Sequence, residues 1–270
     1  MVLLPNIIPE QRRGLVLEFL LRRGAASIQE LMNAISASAS TVRRDLEQLE
    51  LDGHVRRTHG GAVLSKLSHS TFEPDAEISA KVSRAEKSSI GRAAADSLSA
   101  GDSVIFDSGS TVLAAAQVAV ERGIVLTAVT NDLGIGQILA NSDKIRVVVI
   151  GGSVRRSSLT LIGEPGQSFM SDIHADVAFI GTHSISGRLL TETSIEIASI
   201  KRAMIAAARR VVLLADSSKF KPAAFYKICE VTAVHEVITD SQADPLLLAD
   251  LRDLGLKVTT VEVSGGSVSK

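Results

Sequence analysis

The chain has 270 residues, 45% of them apolar and 22% charged, and a formal net charge of −1; this composition excludes a disordered chain, and the length exceeds what one small domain needs, so two cores are expected. The single cysteine, Cys229, can build neither an internal disulfide nor a four-ligand zinc site. No apolar run is long enough to span a bilayer, and the opening Met-Val-Leu-Leu-Pro lacks the features of a signal peptide, so a cytoplasmic protein with no membrane partner, metal or cofactor is expected.

The near-neutral average hides a weak asymmetry. Residues 1–70 carry nine Lys and Arg against seven Asp and Glu, a net of +2 that leaves −3 for the rest. Residues 8–64 read as three short helices followed by a hairpin. Gln11–Leu21 presents Leu15, Phe19 and their neighbours to a core, and Gly24 stops it. In Ser27-Ile28-Gln29-Glu30 a serine is followed three residues on by a glutamate, the capping-box pattern that starts a second helix with Leu31, Met32 and Ile35 inward. A third helix is predicted from Ser38, with Val42, Leu46, Leu49 and Leu51 facing the other two.

This order of elements suits a winged helix-turn-helix. Ser38 caps the third helix, and its first two turns present Ser40, Thr41, Arg43 and Arg44, hydroxyls for phosphates and guanidinium forks for guanine edges. The run His54–Gly61 then offers two strands' worth of residues around Arg56, Arg57 and His59, a wing that would lie along the DNA backbone. A single arginine pair is more often solvated surface; the joint arrangement favours DNA.

A polar stretch over 65–84, with Pro74 inside it, reads as a linker. From 85 to 264, β-branched runs at 103–107, 124–130, 145–150, 177–180, 210–216, 237–240 and 257–263 alternate with helical patterns at 111–121, 131–140, 193–209 and 244–254. Such alternation predicts a mainly parallel sheet covered on both faces. In that fold a ligand sits beyond the carboxyl ends of the strands. Asp107, Ser108, Gly109, Ser110 and Thr111 form a strand-to-helix turn suited to a phosphate or carboxylate, and Thr130, Asn131, Gly151 and Gly152 follow the next two strands. Asp216 and Lys219 follow a later strand, an acceptor for sugar hydroxyls beside a cation for phosphate.

The run from Ser40 to Ala62, Ser-Thr-Val-Arg-Arg-Asp-Leu-Glu-Gln-Leu-Glu-Leu-Asp-Gly-His-Val-Arg-Arg-Thr-His-Gly-Gly-Ala, resembles the signature of the DeoR family of bacterial transcriptional regulators. The C-terminal part is similar as well, in Asp-Ser-Gly-Ser-Thr at 107–111, Thr-Asn at 130–131, Gly-Gly at 151–152, Lys-Arg-Ala-Met-Ile at 201–205 and Asp-Ser-Ser-Lys-Phe at 216–220. The resemblance implies an operator-reading second helix and a wing. It also implies an effector domain related in fold to ribose-5-phosphate isomerase and the coenzyme A transferases, and a phosphorylated sugar or related metabolite as effector. It adds Lys201, which would either line the pocket or reach outward from a surface helix. The stretch 181–191 departs from the family, with Ser184 and Leu189 where glycines are usual and His183 and Arg188 beside them; side chains there would reshape the pocket mouth.

The reading that follows is a repressor of a carbohydrate-catabolism operon, a homodimer or homotetramer that binds double-stranded operator DNA and is released by its effector. Alternatives are an activator, and a sugar-phosphate isomerase or transferase in which Asp107 or Glu196 would act as a base.

Overall fold

The computed structural model describes residues 9–64, 83–155 and 158–263, which fall into two compact units, 9–64 and 83–263. Residues 65–82 of the expected linker lie outside the described residues, as do residues 8 and 264 at the ends of the expected domains.

The N-terminal unit contains α1 (Pro9–Arg23), β1 (Ala25–Ser27), α2 (Ile28–Ile35), α3 (Ala39–Leu51), β2 (Val55–Thr58) and β3 (Gly61–Leu64). The capping box forms as the spacing predicts: the Glu30 N–H donates to Ser27 Oγ at 3.2 Å, and the Ser27 N–H donates back to Glu30 Oε2 at 2.8 Å. The core joins Val16, Leu17 and Leu20 of α1 to Leu31 and Ile35 of α2 and to Val42, Leu46 and Leu49 of α3. Two apolar residues expected inside are outside. Leu15 is 39% exposed because the buried stripe of α1 runs through Val16 and Leu20, and Leu51 is 77% exposed because it lies one turn past Gln48 on the solvent face of α3.

The hairpin also extends beyond its predicted bounds. Its second strand is Gly61–Leu64, and His59-Gly60 forms the turn between the Thr58 and Gly61 partners. β3 then pairs antiparallel with β1, a strand the sequence pattern did not reveal, in a three-stranded sheet of order β1-β3-β2. Gly61 makes that pairing possible: a Cβ there would lie 2.0 Å from the Ala26 carbonyl oxygen.

The C-terminal unit is built on seven strands, β4 (Ser103–Phe106), β5 (Leu126–Thr130), β6 (Ile145–Val149), β9 (Ala175–Ile180), β12 (Ala208–Leu214), β14 (Glu236–Asp240) and β15 (Lys257–Val261). Every pairing is parallel, and the order is β15-β14-β12-β9-β4-β5-β6. All seven apolar runs thus become strands of one parallel sheet. Side-chain alternation divides the core in two. Val104, Phe106, Val177, Phe179, Val212 and Leu214 face α4 (Arg84–Asp96), α5 (Ser110–Glu121) and α6 (Leu133–Leu139). Ile105, Ala178, Ile180, Val211 and Leu213 face α7 (Gly166–Ser171), α8 (Ile195–Ala206) and α9 (Pro245–Asp253). Arg84 belongs to α4, with buried Ser83 at its N-cap, so the second unit begins slightly earlier than its expected start at 85.

Smaller additions were hidden in the sequence. β7 (Ser153–Val154) and β8 (Leu161–Ile162) form an antiparallel ribbon. β10 (Ser184–Ser186), β11 (Leu189–Glu192) and β13 (Tyr226–Glu230) form an antiparallel sheet, so the segment read as a loop over 183–190 is a hairpin turning at Gly187-Arg188. Ser184 does not line a pocket mouth. It is fully buried, and its hydroxyl lies against the carbonyls of Lys221, at 2.6 Å, and Pro222, at 2.9 Å, which ties the hairpin to the chain after β12.

Candidate DNA-binding and effector sites

On α3 the core positions are Val42, Asp45, Leu46 and Leu49, and the opposite face carries Ser40, Arg43, Arg44 and Glu47, all exposed. Ser38 caps the helix, accepting from the Thr41 N–H at 3.3 Å, and its hydroxyl lies 2.9 Å from those of both Ser40 and Thr41. Three linked hydroxyls and two arginines therefore occupy the N-terminal half of the helix. Asp45 accepts a bidentate pair from Arg12 of α1, Nε at 2.6 Å and Nη2 at 3.0 Å, and is 2% exposed. This fork fixes the rotation of α3 about its axis, and with it the direction of Arg43 and Arg44. In the wing, Arg56, Arg57 and His59 are exposed; the Arg57 N–H donates to Glu50 Oε1 at 2.8 Å, which anchors β2 to α3.

In the second unit the chain runs outward from β4 through β5 to β6, then returns to β9 on the other side of β4 and continues outward to β15. The order reverses between β4 and β9, the switch point at which open parallel sheets form a ligand crevice. The residues after β4 and β9 meet there. The Asp107 carboxylate, wholly buried, accepts from the Gly181 N–H at 2.9 Å and from the ammonium of Lys201. Lys201, 3% exposed on α8, also reaches the Gly181 carbonyl at 2.9 Å and Glu192 Oε1 at 3.4 Å. Burial works against the charge on this ammonium, but Asp107 and Glu192 outweigh it and raise the Lys201 pKa. Lys201 is thus neither an outward-reaching surface lysine nor an uncommitted cation. Glu192 was missed because nothing marks a glutamate at a strand end as the partner of a lysine on the next helix.

The turn after Asp107 leads into α5 through Gly109, whose φ of +126° disfavours other residues and whose place at the N-cap brings no side chain to the helix start. Ser108 and Ser110 are half-buried and Thr111 is buried. After β5, Thr130 and Asn131 are wholly buried; Thr130 Oγ1 accepts from the Asp132 N–H at 3.1 Å, while Asn131 Oδ1 has no hydrogen-bond partner among the described residues. Gly151 and Gly152 have a packing reason of their own, since a Cβ would meet Pro165 at 2.8 Å at the first and the Ile162 carbonyl oxygen at 2.6 Å at the second.

Asp216 follows β12 and caps the short turn Ser217–Lys219, accepting from the Ser218 N–H at 3.1 Å and the Ser218 hydroxyl. Its other oxygen, Oδ2, is buried without a hydrogen-bond partner among the described residues. Burial opposes the charge, but Lys219 and Lys87 with the Ser218 bonds hold the carboxyl below its ordinary range. Strand polarity puts Asp107, Thr130, Gly151, Gly181 and Asp216 on one edge of the sheet. Among the described residues no group of three or more His, Cys, Asp or Glu is arranged to hold a metal ion, and no helix is long and apolar enough to cross a membrane.

A winged helix-turn-helix followed by a parallel α/β domain with polar residues gathered at its switch point has the build of a transcriptional regulator with a sensor domain. Residues 12–67 match the DeoR-like helix-turn-helix domain and residues 82–241 the DeoR C terminal sensor domain; the chain belongs to the DeoR family of transcriptional regulators. The HTH-type transcriptional repressor GlcR of Bacillus subtilis is 31% identical over 231 residues, 86% of this chain and 88% of that protein. The HTH-type transcriptional repressor CsqR of Escherichia coli is 30% identical over 257 residues, 94% of this chain and 97% of that one. Among solved structures, ribose 5-phosphate isomerase A of Methanocaldococcus jannaschii is 14% identical, with a TM-score of 0.38 over 50% of this chain and 53% of the other. The translation initiation factor eIF-2B of Pyrococcus horikoshii is 16% identical, with a TM-score of 0.42 over 80% and 74%.

Proposed function

We propose that this regulator is a repressor of a carbohydrate-catabolism operon, acting in the cytoplasm as a homo-oligomer and released from its operator by a phosphorylated sugar or a closely related metabolite. Ser38, Ser40, Thr41, Arg43 and Arg44 enter the major groove, and Arg56, Arg57 and His59 follow the backbone. The observation that carries the sensing half is the wholly buried Asp216 carboxylate, one oxygen of which has no hydrogen-bond partner among the described residues, beside the half-buried Lys219, on the edge to which the Asp107–Thr111 turn leads. In this reading the phosphate meets the start of α5 and Lys219, and sugar hydroxyls donate to Asp216 and Asn131. Gly151 and Gly152 let the chain after β6 pack against Pro165 and Ile162 at the rim, and Asp107 and Lys201 hold the floor. Relatives named as repressors support repression over activation. Catalysis is the weaker reading, because the Asp107 carboxylate is engaged by the Lys201 ammonium and the Gly181 N–H, and the Ser194 hydroxyl lowers the Glu196 pKa and makes it a weaker base.

A thermal-shift screen of phosphorylated pentoses and hexoses against their unphosphorylated forms tests this, since a ligand that binds only the folded state raises its melting temperature. A phosphorylated sugar that stabilises the protein must also release it from operator DNA in a gel shift. Stabilisation by the free sugar alone, or turnover of the phosphate, would overturn the reading.

A further inference from the structure

A cavity lies beside Phe220, the residue that follows Lys219. It holds about 340 Å³ between the β10–β11 hairpin and α9. Its floor is apolar: Ile185 and Phe220 on one side face Leu247, Leu251 and Leu254, which recur at helical spacing on the other. Three charged side chains border it, Arg188 at the hairpin turn and Asp250 and Asp253 on α9, all exposed. Arg188 makes no ion pair with either aspartate or with any other described residue, and neither aspartate has an ion-pair partner among them. On the same helix Leu246, one turn before Asp250, is 75% exposed.

We propose that this face is where a second copy of the chain docks. Charge complementarity identifies the occupant. In a two-fold arrangement each surface meets itself, so a patch carrying a cation on one wall and two carboxylates on the other is its own complement. Arg188 of each copy pairs with Asp250 and Asp253 of the other, and the Leu246–Leu247 ridge of each α9 fills the other's cavity. An apolar centre within a charged rim is the usual build of such a contact. A small molecule in the cavity would leave Leu246 in water and the charges, which stand at the exposed rim, apart. The docking gives the effector domain the pairing that two operator half-sites demand, and in that respect it rests on the DNA-binding reading above.

The test is sedimentation velocity on the full chain at low salt and without DNA, so that association and DNA binding are read independently. The wild type should sediment as a dimer or a multiple of it. Arg188→Glu and the double variant Asp250→Lys/Asp253→Lys should each weaken association by about 30-fold or more, because each places like charges opposite one another twice. Mixed one to one, they should associate again, since the heterodimer restores both pairs, and within about 10-fold of the wild-type constant. The three positions are exposed, and unchanged far-ultraviolet dichroism confirms folding in each variant. A wild type that is monomeric at tens of micromolar, variants that associate normally, or a mixture that stays dissociated would each overturn the proposal. A chain that associates in this way yet ignores DNA would instead remove the functional reading and leave the interface.

Discussion

The ammonium of Lys201 lies against the carboxylate of Asp107, 94 residues away in sequence, and joins α8 to the end of β4 at the switch point of the sheet. Its third partner, Glu192, makes the cluster one cation against two buried carboxylates. Lys201→Met should therefore cost the sensor domain about 3–5 kcal/mol, because it leaves two charges buried without their counterion. Chemical denaturation with a domain-specific signal measures it. A loss below about 1 kcal/mol would mean that water already reaches the carboxylates.

Asp216 sets the acid limb of the same domain. Its folded pKa is held below the ordinary 3.8, so its contribution is present above that value and is lost as pH falls through the lower, folded one. Lys219→Ala removes the largest charge that keeps it low. The acid unfolding midpoint should then move to higher pH, and Asp216→Asn should make it insensitive to the Lys219 change. Equal acid limbs in wild type and Lys219→Ala would contradict this account.

The parts of the molecule that were legible in the sequence share one property, a local cause. The Ser27–Glu30 box, the Ser38 cap and the seven strands are each set by residues within a few positions of one another. What the sequence did not disclose depends on partners far away. β1 exists only because Gly61 lets β3 approach it, and the hairpin at 184–192 exists because β13 pairs with it from 34–41 residues on. At the site the same division holds: Asp216 and Lys219 sit three residues apart in sequence, whereas the pairing of Lys201 with Asp107 and Glu192 follows from the order of the strands. Arg12 and Asp45 are of the second kind.

That pair yields its own test. Asp45→Ala leaves the Arg12 guanidinium beside a buried gap, but Arg12 is 17% exposed and regains some water. The N-terminal unit should lose about 1–3 kcal/mol, at the level of a lost charged hydrogen bond and not of a fully buried pair. Operator affinity should fall even where the unit stays folded, because α3 is then free to roll. Unchanged affinity in folded Asp45→Ala would show that the fork stabilises without orienting.

Cys229 should be a slow thiol. Burial pushes its pKa up to about 11, against the opposing influence of Lys227 and Arg202. Relative to its ordinary pKa of 9.0, the folded chain at pH 7.5 holds roughly a hundred times less thiolate, and alkylation should slow in that proportion. Iodoacetamide labelling followed by mass spectrometry, with and without urea, measures the ratio. Equal rates would place Cys229 in water.

The division between base reading and backbone binding is testable on the arginines. Arg43 is exposed on α3 and makes no ion pair among the described residues, so its fork is available to a guanine edge. Arg43→Ala should weaken operator binding by about 1–3 kcal/mol and relax the preference at one base position, with little change in the salt dependence. Arg56 lies in β2, and in the proposed reading it follows the phosphate backbone. Arg56→Ala should weaken operator and random DNA alike and lower the slope of log K against log salt by about 1. Titrations of both variants on specific and scrambled duplexes at several salt concentrations separate the two roles. If Arg56→Ala changes sequence preference while Arg43→Ala changes only the salt slope, the roles of helix and wing are reversed. Neither variant should alter the thermal shift produced by the effector, because Arg43 and Arg56 belong to a different compact unit from Asp216 and Lys219.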